Sequence, residues 1–110
     1  MLSFAEEEDE EEKGKWIYRL YEDSKVVCTA VLFGRGNLLS ICSNPKGKGF
    51  GKKMLEYFEK KALESNLHEV TVSAIADDER VKRFFEKNGY KLSPDSQCLG
   101  ESEGEKTLTT

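Results

Sequence analysis

Between Pro45 and Lys52 the chain reads Pro-Lys-Gly-Lys-Gly-Phe-Gly-Lys, three glycines alternating with basic or bulky residues. The stretch follows the apolar run Leu38-Leu39-Ser40-Ile41-Cys42, and an amphipathic helical pattern begins at Phe50. A strand that empties through a glycine loop into a helix N-terminus is an anion cradle. Its backbone N–H groups point outward, the helix dipole adds positive potential, and glycine lets a ligand approach the main chain. Lys46, Lys48, Lys52 and Lys53 add charge, so the expected ligand is a phosphate or pyrophosphate. Thiol chemistry has less support. Cys28, Cys42 and Cys98 are an odd number without a C-x-x-C, and His68 is the single histidine. Reduced thiols and no metal site are the expectation.

Spacing separates the loops that bind phosphate. A P-loop has four residues between its first glycine and Gly-Lys-Ser/Thr. Here Gly47 and Gly51 bracket three, and Lys53 stands where the hydroxyl belongs. The dinucleotide fingerprint is G-x-G-x-x-G, and Gly47, Gly49 and Gly51 fall one residue short of it. The segment Lys46-Gly47-Lys48-Gly49-Phe50-Gly51 instead resembles the acyl-CoA pyrophosphate loop of the GNAT superfamily of N-acetyltransferases, Arg/Gln-x-x-Gly-x-Gly/Ala, with Lys46 in the first position. Downstream, Asp78 to Tyr90 is similar to that family's later helix, Asn-x-x-Ala-x-x-Leu-Tyr-x-Lys-x-Gly-Phe. Lys87 and Gly89 match it outright, while Asp78, Val81, Phe84, Phe85 and Tyr90 are substitutions. The resemblance covers roughly residues 16 to 92.

These motifs need elements to carry them, and 110 residues form one small domain. Trp16 to Tyr21, Val26 to Phe33 and Leu38 to Ser43 read as strands, with a hairpin turn at Gly34-Arg35-Gly36-Asn37. A helix runs from about Phe50 to Ser65, with Gly51, Met54, Leu55, Phe58 and Ala62 as its apolar stripe and Asn66 as a left-handed cap. Glu69 to Ile75 is a strand that returns parallel to its predecessor. A second helix starts at Asp77 or Asp78, buries Val81, Phe84 and Phe85, and ends at Gly89. Tyr90 to Leu92 opens another strand. Cys98-Leu99 and Thr107-Leu108-Thr109 are read as a final hairpin around Gly100 to Gly104. The fold class is α/β in the mixed-sheet (α+β) sense, with a βββαβαβ order like the acetyltransferase core. The resemblance implies that the two parallel central strands splay apart.

The formal net charge of −4 contains seven consecutive acids, Glu6 to Glu12, so the remainder carries +3. Residues 1–15 are read as an acidic disordered tail and 16–110 as the domain. A sharper form of this reading has the tail competing with CoA for Lys46, Lys48 and Lys52. The family usually places a strand and two helices ahead of this core, and the residues before Trp16 are too few for them, which reads as a minimal form. There is no apolar run of membrane-spanning length and no signal-peptide pattern, so a cytoplasmic location is expected. Neither a membrane nor a nucleic-acid partner is expected.

The resemblance implies acetyl-CoA or CoA as cosubstrate, with no metal. Its pantetheine arm would lie between the strand holding Ile41 and the strand ending at Ile75, on backbone groups of Ile41 and Ser43. Its pyrophosphate would sit on the amides from Gly47 to Lys52. The chain would then be an acyl-CoA-dependent N-acyltransferase, moving acetyl to an amine of a protein, peptide or small molecule by direct attack. An open groove favours a protein or peptide amine, or a pocket completed by a second subunit in a homodimer. The strand before the loop carries Ser40, Cys42 and Ser43 and no carboxylate, and Phe85 occupies the place of a tyrosine acid. Cys42 is either an acyl acceptor or base, or a small packing residue. The catalytic groups are thus unassigned, and the alternative is a non-catalytic CoA-binding regulatory module.

Overall fold

Period-two patterning builds most of the molecule. The computed structural model describes residues 1–44, 48–76, 79–94 and 101–108. Their order is β1 (Leu2–Glu8), β2 (Lys15–Glu22), β3 (Lys25–Phe33), β4 (Asn37–Ser43), α1 (Phe50–Glu64), β5 (Glu69–Ala76), α2 (Glu79–Lys87), β6 (Lys91–Pro94) and β7 (Glu101–Thr107). One mixed sheet runs β1-β2-β3-β4-β5-β7-β6. Only β4 and β5 pair in parallel, and every other neighbouring pair is antiparallel. Alternate residues of each strand face the helices. Tyr18 and Leu20 of β2, Ala30 and Leu32 of β3, and Val70 and Val72 of β5 are buried together with Met54, Leu55, Phe58 and Ala62 of α1. That helical stripe is the one the sequence predicts.

Both helices end on left-handed residues. Asn66 has φ 64°, and the Leu67 N–H reaches back to the Ala62 carbonyl at 2.9 Å. At Gly89, φ is 92° and the Tyr90 N–H bonds the Phe85 carbonyl at 3.0 Å. In each case the bond spans six residues and closes the last turn. The predicted N-cap at Asp77 or Asp78 and the predicted strand at Cys98-Leu99 lie outside the described residues.

Two expectations are corrected. The first concerns the acidic segment, which is not a tail. Leu2 to Glu8 pair with β2 in register, Phe4 opposite Leu20 and Glu6 opposite Tyr18. Leu2, Phe4 and Glu6 share the inward face. The Phe4 ring stacks on Tyr57 of α1 at 4.1 Å and 7°. The Glu6 carboxylate accepts hydrogen bonds from Tyr57 Oη at 2.8 Å and Arg35 Nη2 at 3.1 Å, and Lys61 Nζ lies 3.8 Å away. Glu7 pairs with Arg19 at 3.3 Å. Asp9 Oδ1 accepts the N–H groups of Glu11 and Glu12 at 2.8 and 3.1 Å, which forms the turn into β2. Self-repulsion is thus offset by cations from distant segments. Among the described residues, the cations that the acids engage are Arg35, Lys61, Arg19 and Lys15.

Burial raises the Glu6 pKa, but the Tyr57 and Arg35 hydrogen bonds and the Arg35 and Lys61 charges together hold it below 4.5. A carboxyl depressed on folding stabilises the fold above its unfolded pKa, and the gain is lost as pH falls through the folded value. Urea denaturation should therefore show wild type more stable than Glu6→Gln at pH 7. That difference should shrink as pH drops below 4.5. A difference that is constant across this range would show that the ionised form of Glu6 contributes nothing.

The second correction concerns the C-terminal hairpin. Glu101 to Thr107 is strand β7, inserted between β5 and β6, not a turn. Glu103 and Glu105 meet solvent, while the opposite face carries Gly104 and Lys106, whose ammonium donates to Glu59 at 2.9 Å and to the Asn88 carbonyl at 2.9 Å. Gly104 is buried, and a Cβ there would run into Leu92 and approach Val72 Cγ2 at 3.1 Å. Glycine lets the Val72 and Leu92 side chains of the flanking strands close over β7.

Candidate functional site

The site begins where β4 and β5 stop pairing. Among the described residues, β4 and β5 pair only at Asn37 with Thr71 and Leu38 with Val72. The Asn37 side chain fastens this end, its Oδ1 accepting from Thr71 Oγ1 at 3.0 Å and Ser73 Oγ at 3.1 Å. The Thr71 N–H donates to the Gly36 carbonyl at 2.7 Å. On its other side β4 pairs Leu38 with Leu32 but Ser40 with Val31, so Leu39 is an extra residue in the strand. A bulge of this kind bends a strand and increases its twist. β4 then continues along β3, Ile41 opposite Ala30 and Ser43 opposite Cys28, while its β5-facing side has no strand partner among the described residues. The splay that the resemblance implies is present, with Ile41 and Ser43 on its β4 wall.

α1 opens a few residues beyond β4. Its N-cap is Gly49, at φ 78° and ψ 9°, with no side-chain cap and no acid in the first turn. The first helical bond recorded is from the Lys53 N–H to the Gly49 carbonyl at 3.1 Å. The N–H groups of Phe50, Gly51 and Lys52 therefore have no partner among the described residues, and the helix dipole adds to their positive potential. No atom of the described residues lies within 4 Å of where a Cβ on Gly49 would stand. Lys48 and Lys52 are exposed and make no hydrogen bond or ion pair among the described residues. An uncapped N-terminus with open space and free cations fits a pyrophosphate. Lys46 and Gly47 lie outside the described residues.

Gly51 and Phe50 face inward instead. Phe50 is buried, and a Cβ on Gly51 would meet the Phe84 ring at 3.4 Å, so Gly51 sets the approach of α2 to α1. Phe85, expected where relatives place a tyrosine acid, is 3% exposed and packs edge-on against Phe84 and Tyr90. The Tyr90 hydroxyl is committed to Glu59 at 2.9 Å, and burial followed by the Glu59 charge drives its pKa far up. Cys42 is exposed on the face away from the helices, opposite Thr29, and has no hydrogen-bond partner among the described residues. Cys28 is buried, which pushes its thiol up to about 11. His68 is exposed at the start of β5. Asn37 and Thr71 were not singled out by sequence reasoning. The only signal was an Asn at the end of a Gly-rich turn, which is ordinary turn chemistry.

The sequence profile of the Acetyltransferase (GNAT) family matches residues 2–90. No curated protein matches the chain. Among solved structures, it is similar to the PaiA N-acetyltransferase of Thermoplasma acidophilum in complex with coenzyme A, at 21% identity and a TM-score of 0.73, over 84% of this chain and 60% of that one. A GCN5-related N-acetyltransferase from Rhodopseudomonas palustris aligns at 21% identity and a TM-score of 0.69, over 86% of this chain and 62% of that one. A GNAT family acetyltransferase from Elizabethkingia anophelis with acetyl-CoA bound aligns at 9% identity and a TM-score of 0.73, over 99% of this chain and 98% of that one. At these identities the likeness is one of fold. The chain spans about three-fifths of the length of the first two.

Proposed function

Because the chain belongs to the Acetyltransferase (GNAT) family, we propose that it is an acyl-CoA-dependent N-acyltransferase that moves acetyl to an amine of a protein, peptide or small molecule. The observation that carries this is the parting of β4 from β5 beside an uncapped, lysine-flanked helix N-terminus. Backbone groups of Ile41 and Ser43 would hold the pantetheine arm. Lys46, Gly47, Lys48, Gly49 and the amides of Phe50, Gly51 and Lys52 would hold the pyrophosphate. Acetyl-CoA supplies an acyl group already activated as a thioester. The chain's own contribution is to fix that group beside an open face where an amine approaches. Reduced thiols and a need for acetyl-CoA suit the cytoplasm.

Proton handling sets the expected pH behaviour. The amine must be neutral to attack, which at pH 7 costs roughly 4.6 kcal/mol for a pKa near ~10.4. β4 presents Ser40, Cys42 and Ser43 and no carboxylate. Phe85 and Tyr90 are both buried, so neither position supplies an acid. Solvent takes the proton from the amine. The departing thiolate, with a pKa near ~8.5, leaves unprotonated at a cost of only about 2 kcal/mol. With a lysine-type amine at limiting concentration, turnover should therefore rise about tenfold per pH unit between pH 7 and 9, following the free amine. A plateau reached near neutrality would reveal a general base.

Binding is tested first by thermal shift. CoA at about 100 times its dissociation constant should add about 2.7 kcal/mol, or about 10 °C in Tm for a domain of this size. A flat curve at millimolar CoA would remove the cosubstrate. The second reading, a CoA-binding module without transfer, is favoured by one observation, the missing acid and base. It predicts the thermal shift without any product.

A further inference from the structure

We propose that Asn37 is a positioning residue for the acyl-donor arm: its side chain staples the two halves of the sheet where they meet and so fixes the width of the groove that opens beyond. This rests on the reading of CoA as cosubstrate. β1 to β4 form one antiparallel half of the sheet, and β5, β7 and β6 form another. Among the described residues, only the Asn37–Thr71 and Leu38–Val72 pairs join the halves strand to strand. Both strands leave regular pairing at the same level, just past that joint. β4 bulges at Leu39 against β3. β5 bulges against β7, where Ser73 and Ala74 stand opposite the single residue Glu103, between the Val72–Gly104 and Ile75–Ser102 pairs. Bulges on the two outer sides of the joint bend the strands, and a joint of two pairs has little stiffness of its own.

Asn37 supplies that stiffness. Its Oδ1 accepts from Thr71 Oγ1 at 3.0 Å and from Ser73 Oγ at 3.1 Å. Ser73 is the first residue of β5 beyond the last pair, so one side-chain oxygen grips β5 on both sides of the point where the strands part. Thr71 Oγ1 also lies 3.5 Å from the Gly36 carbonyl, and its shorter contact is with Asn37. Leu38 and Val72 are buried against the helices, so the alternating Asn37, Thr71 and Ser73 lie on the opposite face. A ligand in the groove bridges the two halves. Its affinity depends on their separation being set in advance, because a groove that must be ordered on binding loses part of its interaction energy to ordering. The staple needs only an acceptor at position 37. The Asn37 Nδ2 makes no hydrogen bond among the described residues, and an ionised aspartate accepts from two hydroxyls equally well.

Titration of the isotope-labelled full chain with CoA, followed by NMR, tests the assignment. Amide signals of Gly49, Phe50, Gly51 and Lys52 report the pyrophosphate end, and those of Ile41 and Ser43 report the arm. Both sets should shift in wild type. Asn37→Ala should weaken CoA about tenfold, the effect of losing one or two hydrogen bonds. At saturation it should keep the shifts at the helix start while those of Ile41 and Ser43 shrink. Asn37→Asp should restore affinity to within about twofold of wild type, together with both sets of shifts. Ser73→Ala removes one of the two bonds and should weaken CoA about threefold. Added to Asn37→Ala it should change nothing further, because the two residues act through one contact. The proposal is overturned if Asn37→Ala binds CoA like wild type, if both sets of shifts shrink together, or if Asn37→Asp is as weak as Asn37→Ala. Should Asn37→Ala fail to fold, wild-type affinity and shifts in Ser73→Ala overturn it instead. In each of these cases CoA binding by wild type stands. No shift in wild type at millimolar CoA would remove the cosubstrate reading, and this proposal with it.

Discussion

Gly49→Val should lower CoA affinity by about a hundredfold in a chain that still folds. Two effects act together. Gly49 caps α1 at φ 78°, where a β-branched residue is a genuine outlier and strain is about 1–2 kcal/mol. No atom of the described residues lies within 4 Å of that position, so valine would fill the volume through which the proposed anion would reach the amides of Phe50, Gly51 and Lys52. Hydrogen bonds to a charged group contribute about 1.5–3 kcal/mol each. Blocking one or two of them is therefore enough for a hundredfold loss, at about 1.4 kcal/mol per tenfold. Gly49→Ala carries the backbone strain with less bulk and should lose less. Calorimetry with CoA, alongside a melting curve, separates the two effects. A folded Gly49→Val chain with wild-type affinity would make Gly49 a helix cap and nothing more.

A chain that starts at Lys13 should melt more than ten degrees below the full chain. Truncation removes the seven residues of β1 paired with β2 and takes Phe4 off Tyr57. Tyr18 and Leu20, both fully buried, lose a neighbouring strand. Arg35 and Lys61 lose the Glu6 carboxylate. Loss of a buried aromatic side chain alone costs about 3–5 kcal/mol, and Phe4 is half-buried, so a total of about 3 kcal/mol is expected. At about 4 °C per kcal/mol for a domain of this size, the Tm falls by about 12 °C. Equal melting temperatures for the two chains would show that β1 contributes nothing to the fold.

How much of this was legible depended on how local the signal was. The strands from Trp16 to Ser43 carry period-two alternation over runs of aromatic and β-branched residues, and α1 carries a 3.6-period stripe. Each is read from neighbours a few positions away. β1 is not. Its inward face is Leu2, Phe4 and Glu6, and the groups that make Glu6 tolerable are Arg35 and Tyr57, 29 and 51 residues away. Charge density in sequence resembles disorder until those partners are known. β7 escaped for the opposite reason. Its core-facing position is Gly104, so it has no apolar residue to report burial.

At the site, the helix after the glycines was readable from its own periodicity, and its uncapped start at Gly49 is the part of the expected cradle that the described residues carry; anion binding there is the proposal. The lock at Asn37 and the bulge at Leu39 were not readable, because both depend on register with β5 and β3. Gly51 reads the same in either role, and only the Phe84 ring above it identifies a packing contact. No acid or base was legible on β4. Phe85 and Tyr90, the two aromatic residues the later motif offers, both turn out to be buried.

The central claim is transfer of acetyl from acetyl-CoA to an amine. The most direct measurement incubates the chain with acetyl-CoA and a panel of amines at pH 8.5, following CoA release and identifying products by mass spectrometry. The panel should include peptides with a free N-terminus, lysine-containing peptides and polyamines. The account predicts amine-dependent CoA release with one acetylated amine formed per CoA, and loss of both with Gly49→Val. Saturable acetyl-CoA binding with no acetylated product from any amine, and no CoA release above the enzyme-free rate, would contradict it.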